Sequence, residues 1–157
     1  LHAAETGHLV VSTLHSVNAM QTVDRILNFF PPHQHNFLKL QMSTLLEGVV
    51  SQRLLPTKDG TARIPAIELM MATPTVRELL LEGKTRELYK SLKEGQYFGC
   101  MTYNQCLKGL LERDLITLED ALNAADSPDE LKLELRGISK DVKYGADGGG
   151  VRSRFDR

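Results

Sequence analysis

A chain of 157 residues with 41% hydrophobic and 25% charged side chains and a net charge of −1 has ordinary globular-protein usage, without the basic excess of a nucleic-acid-binding face. No apolar run approaches the roughly 20 residues that cross a bilayer, no secretory leader pattern is visible, and Cys100 and Cys106 fit neither a disulfide framework nor a zinc knuckle. A reducing, cytoplasmic setting is expected, with no nucleic acid and no transmembrane segment, in one domain or one domain plus a small helical appendage.

The chain opens on Leu1 rather than methionine, and LHAAETG reads as the last turn of a helix ending at Gly7, as if it began in the middle of something. Leu9, Val10 and Val11, with Ser12, Thr13 and Leu14, lack strict alternation, the pattern of a parallel strand buried on both faces. Its only candidate neighbours are Val49–Leu55 and Arg63–Leu69, so the sheet is expected to be incomplete. Ser16 or Asn18 can cap a helix carrying Met20, Val23, Leu27 and Phe30 at helical spacing. Pro31-Pro32 stops that helix and Pro32 can open the next, whose apolar face holds Phe37, Leu38, Met42, Leu45, Leu46 and Val49.

LLPTKDGTARIPAIEL predicts a hairpin turning at Asp59-Gly60, with Pro65 restricting its second arm to a short or edge strand. From Thr73 the reading is helical. Thr73-Pro74 starts one helix, Thr85 caps another, Thr102 and Gln105 form a capping box, and Thr117 caps a further helix. Ser127-Pro128-Asp129-Glu130 begins the last helix, which Gly137 can close. The division expected is an α/β portion over 1–72, a helical region over 73–137 and a disordered tail over 138–157.

Two histidines bracket the first apolar run. On a strand, an offset of seven sends His8 and His15 to opposite faces, and at ~3.3 Å per residue they lie ~23 Å apart, too far to share a metal ion or act as one pair. In open α/β sheets ligands bind outside the carboxyl ends of strands, where His15 sits. An imidazole there can donate to a phosphate oxygen; it can equally be satisfied by backbone carbonyls. His33 and His35 point in different directions and lack a third ligand, so no metal site is expected. Gly83-Lys84-Thr85 resembles the end of a phosphate loop, but Glu78 stands where the first glycine is required and a helix precedes it. Cys100 and Cys106 are expected to be packing residues. The residues alone leave the reaction type open.

The ordered strings AAETGHLVVSTLHSVNAMQTVDRILNFFPP, GVVSQRLLP and KDGTARIPAIELMMATPTVRELLLEGKT resemble the C-terminal part of the PilT-like type IV pilus retraction ATPases, hexameric P-loop motors of the secretion ATPase superfamily. The resemblance runs from Leu1 to about Gly137. It implies the C-terminal part of a RecA-like ATPase core followed by an all-helical region. ETGHLV…TLH would be the family's histidine box, with His15 nearest the γ-phosphate, Thr13 a polar sensor beside it, and His8 structural or directed at a neighbouring subunit. Arg25 and Arg53 would be available for contacts across subunits, and Gln52 would face the core. TVRELLLE matches the retraction motif AIRNLIRE at Arg77, Leu79 and Glu82, and departs from it at Glu78 and Leu81. QRLLP runs into a tight hairpin with no four-cysteine insert, unlike the extension and secretion motors.

The same resemblance places the phosphate-binding loop, acidic box and Walker B segment upstream of Leu1. ATP and Mg2+ would then be held mainly by those residues, and the chain alone would be an inactive fragment. Its implied setting is a cytoplasmic homohexamer, peripheral at the inner membrane against the pilus platform protein. The alternatives are an extension or secretion ATPase, a metal-dependent hydrolase, and a non-enzymatic partner-binding module with structural histidines.

Overall fold

The computed structural model describes residues 1–138, so the tail expected from 138 onward lies outside the described residues except for its first position. The elements in chain order are α1 (His2–Glu5), α2 (Ala19–Asn28), α3 (His35–Leu45), β1 (Gly48–Pro56), β2 (Arg63–Met71), α4 (Pro74–Glu82), α5 (Leu88–Glu94), α6 (Tyr103–Glu112), α7 (Leu118–Ala124) and α8 (Pro128–Ile138). The fold is mixed α/β, with a two-stranded sheet among helices.

The strand expected over Leu9–Leu14 is not formed. These residues are irregular, with Leu9 92% and Val11 87% exposed. A strand needs a neighbour to take its backbone hydrogen bonds, and β1 and β2 pair in one antiparallel hairpin instead of flanking this segment. The ~23 Å span that assumed a continuous strand therefore does not apply.

The hairpin forms where expected. Asp59 ties its turn by accepting from the Thr57 and Thr61 hydroxyls and the Thr61 N–H, bonds that hold its carboxyl down to about 2. Gly60 supplies the left-handed backbone at φ +69°. Period two then puts Ser51, Arg53 and Leu55 of β1 inward, while Gln52, expected to face the core, is exposed. On β2 the buried positions are Ala66, Glu68 and Met70.

The outer edge of β2 is covered rather than open. Leu69 and Met101 exchange backbone bonds of 2.8 and 2.9 Å. On either side, the Ile67 N–H donates to Cys106 Sγ at 3.3 Å and the Met71 N–H to Cys100 Sγ at 3.4 Å. Both thiols thus pack, as expected, and also satisfy edge donors that would otherwise invite another strand.

Side-chain caps set most helix starts. Asn18, not Ser16, caps α2 by accepting from Gln21 N–H at 2.9 Å. Thr73 and Thr117 cap α4 and α7, and Thr102 and Gln105 form the complete capping box of α6. Thr85 does not cap: it begins a 3-10 turn, Thr85–Glu87, that leads into α5. Gly137 lies within α8 instead of closing it. Phe30 falls beyond the end of α2, and Phe37 turns outward on α3 at 57% exposure, so neither joins the expected apolar faces.

Two hydrophobic clusters share the hairpin. One joins Leu55 and Ala66 to Tyr103, Leu107, Leu110 and Leu111 of α6, and to Ile116, Ala121 and Leu131. The other joins Ala19 and Val23 of α2 and Met42 of α3 to Met70, Val76, Leu80, Leu88 and Leu92. Both take residues from each side of position 72. Glu68, 2% exposed, reaches from β2 to α2 and accepts from the Ala19 N–H at 2.7 Å. Burial raises its carboxyl above the ordinary 4.5, opposed by that N–H.

Leu107 is wholly buried at the centre of the first cluster, so Leu107→Ala should cost about 2–5 kcal/mol, read from a urea unfolding curve. The raised Glu68 carboxyl binds its proton more tightly folded than unfolded. Its contribution to stability is therefore fully present below pH 4.5 and falls away as pH rises through the raised folded value. Glu68→Gln should accordingly gain stability relative to the wild type as pH rises above about 4.5, read from parallel unfolding curves.

Candidate functional site

The histidine-bracketed segment begins on the single turn of α1. Gly7, at φ +85°, closes that turn, with its N–H on Ala4 O at 3.0 Å and the His8 N–H on Ala3 O at 3.1 Å. His8 Nδ1 lies 2.9 Å from Thr6 Oγ1 and 3.2 Å from Ala3 O. A carbonyl can only accept, so Nδ1 carries the proton in that contact and the ring is fastened to the preceding turn. Glu5 of the same turn accepts from Gln41 Nε2 of α3 at 2.6 Å, which anchors the segment to the body of the chain.

At the other end, Thr13 and His15 are both exposed. The backbone that follows is held firmly. Ser16 Oγ and Thr22 Oγ1 are 2.6 Å apart, Thr22 Oγ1 donates to Asn18 O at 2.9 Å, and α2 begins at its Asn18 cap. The two imidazoles therefore differ in kind: His8 is tied to its own turn, and His15 is presented to solvent from a fixed helix start.

Arg53 is engaged inside this chain. From β1 its guanidinium donates to Ala124 O, to Asp126 Oδ1 at 2.5 Å and to Val17 O at 3.4 Å, and it lies 4.0 Å over the centre of the Tyr103 ring. The planar fork and cationic face of arginine suit this mix of acceptors and an aromatic plane, which lysine would match poorly. Burial pushes the Tyr103 hydroxyl up to about 12, against the neighbouring Arg53 charge. Arg25, by contrast, is exposed on the last turn of α2.

The three matched residues of TVRELLLE fall on α4 and behave differently. Arg77 donates to Ser43 O at 2.9 Å and Thr44 O at 3.1 Å, and pairs with Glu47 at 3.3 Å. It thereby caps the carbonyl end of α3, where a cation is favoured. Leu79 packs against the second hydrophobic cluster. Glu82 is exposed and pairs with Lys84 at 2.8 Å, raising the Lys84 ammonium. Gly83, left-handed at φ +75°, ends α4, so Gly83-Lys84-Thr85 is a helix stop and not a phosphate loop. His35 Nε2 contacts Phe30 O at 2.9 Å and His33 is exposed. Among the described residues, no three His, Cys, Asp or Glu side chains gather as metal ligands.

Glu68, Tyr103 and Asp126 escaped the sequence reading. Inside AIELM an inward carboxylate looks the same as an outward one, and only the pairing of Ser51 with Glu68 and the approach of α2 reveal it.

Residues 1–108 match the family described as Type II/IV secretion system protein. The chain is 40% identical over 142 residues to the type IV pilus ATPase PilU of Pseudomonas aeruginosa, across 90% of this chain and 37% of that protein. With the type IV pilus retractation ATPase PilT of the same organism it shares 40% identity over 129 residues, 82% of this chain and 37% of that protein. The crystal structure of the pilus retraction motor PilT with bound ADP matches it with a TM-score of 0.75 at 40% identity, over 84% of this chain and 36% of that one. The chain thus spans 37% of the length of these two curated relatives. It belongs to the type II/IV secretion system protein family and is similar to that family's pilus ATPases.

Proposed function

We propose that this chain is the C-terminal part of a hexameric cytoplasmic motor that couples ATP hydrolysis to type IV pilus retraction, working at the inner-membrane pilus platform. The observation that carries the reading is the 40% identity to PilU and PilT over most of the chain. The family match over residues 1–108 includes both ETGHLV…TLH and TVRELLLE. Among the described residues no helix is long and apolar enough to cross a membrane, consistent with a peripheral position.

His15 offers an exposed imidazole and Thr13 an exposed hydroxyl, both suited to the oxygens of a terminal phosphate. The described residues offer no carboxylate cluster for a metal. In this reading the chain forms the rim of a triphosphate site, with the phosphate loop and the Mg2+ ligands supplied from other parts of the motor. Mg2+ bound there would neutralise charge on the phosphate oxygens. The part of this chain is to place a donor: α1 and His8 fix one end of the segment, the start of α2 fixes the other, and His15 projects between them. The exposed Leu9, Val10 and Val11 become an interior strand once strands of the ATPase core lie beside them. In this reading Arg25 faces a neighbouring subunit, and α4 carries movement from the nucleotide site onward, with Arg77 fastening it to α3.

In the full-length protein, His15→Ala should lower ATP turnover by about tenfold or more while hexamers persist in gel filtration; wild-type turnover would refute the role of the imidazole. The α4 residues should separate by mechanism. Arg77→Ala removes the cap on α3 and should cost about 1.5–3 kcal/mol in urea unfolding. Glu82→Ala should stay within about 0.5 kcal/mol of wild type yet reduce pilus retraction in cells, whereas full retraction by that variant would remove Glu82 from the coupling.

A further inference from the structure

The strongest unassigned feature is a polar joint built by the two strands around the start of α2. Arg53 of β1 holds Val17 O, and Glu68 of β2 holds the Ala19 N–H at 2.7 Å. Two buried or half-buried groups thus grip the backbone within four residues of His15. The same Arg53 fork also donates to Ala124 O at the end of α7 and to Asp126 Oδ1 in the α7–α8 connection, and its cationic face covers the Tyr103 ring at the start of α6. Asn104, beside Tyr103, donates to Ser127 O at 3.0 Å and ties α6 to the same connection.

An isolated buried carboxylate is costly, and this one is tolerated because a helix-start N–H meets it and a guanidinium lies on the neighbouring strand. Such a joint has little slack. The Glu68–Ala19 bond is short at 2.7 Å, and moving the 17–19 backbone would strip Arg53 of the Val17 carbonyl and leave Glu68 buried without its donor.

We propose that Arg53 and Glu68 are positioning residues that couple the loop presenting His15 to the α6–α8 helical unit, so that a shift at one is felt at the other. The mechanical part stands on geometry alone; its consequence for catalysis rests on the reading of His15 given above.

The test is hydrogen–deuterium exchange and ATP turnover on the full-length protein containing this chain, comparing wild type with Arg53→Lys and Glu68→Ala. Arg53→Lys keeps the charge and loses the fork. It should raise amide exchange over 15–19 and 124–127 together, by about tenfold, with α3 and α5 unchanged. In the same variant kcat should fall by about tenfold with KM for ATP held within about twofold and the hexamer intact. Glu68→Ala should loosen 17–19 and, through Val17 and Arg53, the 124–127 stretch as well. Loosening confined to one end, or at neither, overturns the joint. Loosening at both ends with unchanged kcat overturns its part in the reaction. A full-length wild type without ATPase activity would sink the reading of His15 and the positioning role with it, while the exchange arm would still decide whether the two ends are joined.

Discussion

One guanidinium is the meeting point of this molecule. Arg53 rises from the middle of β1 into a space bounded by the loop before α2, the first residue of α6 and the connection between α7 and α8, and it bonds or stacks with all three. A salt bridge at a protein surface would be worth little. Here the side chains of Arg53 and Asp126 are only 26% and 21% exposed, so an unmatched charge would be costly and the partners are held in place. Removing any one element would leave the guanidinium short of an acceptor or of its aromatic face.

The hairpin that carries Arg53 organises the rest through its inward face and the outer edge of β2, while Val50, Gln52 and Leu54 on its other face are exposed. One side of β1 and β2 meets both hydrophobic clusters, and the outer edge of β2 is sealed by Met101 and two thiols. A two-stranded ribbon alone is marginal in water, so the sheet persists because α2, α5, α6 and α7 pack against it. This also explains why the helical half does not stand apart as a separate body: its core contains Leu55 and Ala66, and the other core contains Val76, Leu80, Leu88 and Leu92. Arg77 adds a further tie by finishing α3 from α4.

Within this frame the two histidines take opposite parts. His8 spends its Nδ1 on Thr6 and Ala3, which fixes the end of a single helical turn. His15 is exposed immediately before a firmly capped helix start. In the role proposed for His15, a donor that meets a phosphate is best carried by backbone that is itself held in place, since misplacement by an ångström can cost much of the rate. The polar grip on Val17 and Ala19 fits that requirement.

Local chemistry was readable without coordinates. Asp59-Gly60 marked the hairpin turn, Thr73, Thr102, Thr117 and Ser127 marked helix starts, and Pro31-Pro32 marked a stop, because each acts through backbone bonds within a few residues of itself. The three ordered strings AAETGHLV…FFPP, GVVSQRLLP and KDGTARIP…EGKT carried enough to place the chain in its family. What the sequence alone could not determine was any feature needing a distant partner. Leu9–Leu14 has the composition of a strand, yet it has no ladder to join among the described residues, so its backbone stays irregular. Thr85 has a capping side chain but lies in a turn whose hydrogen bonds are made by backbone alone. The inward carboxylate of Glu68, the edge-sealing thiols and the engagement of Arg53 with groups up to 73 residues away were all decided by tertiary structure. The physical reason is range: propensity and capping act along the chain, whereas burial and charge pairing depend on which surfaces meet.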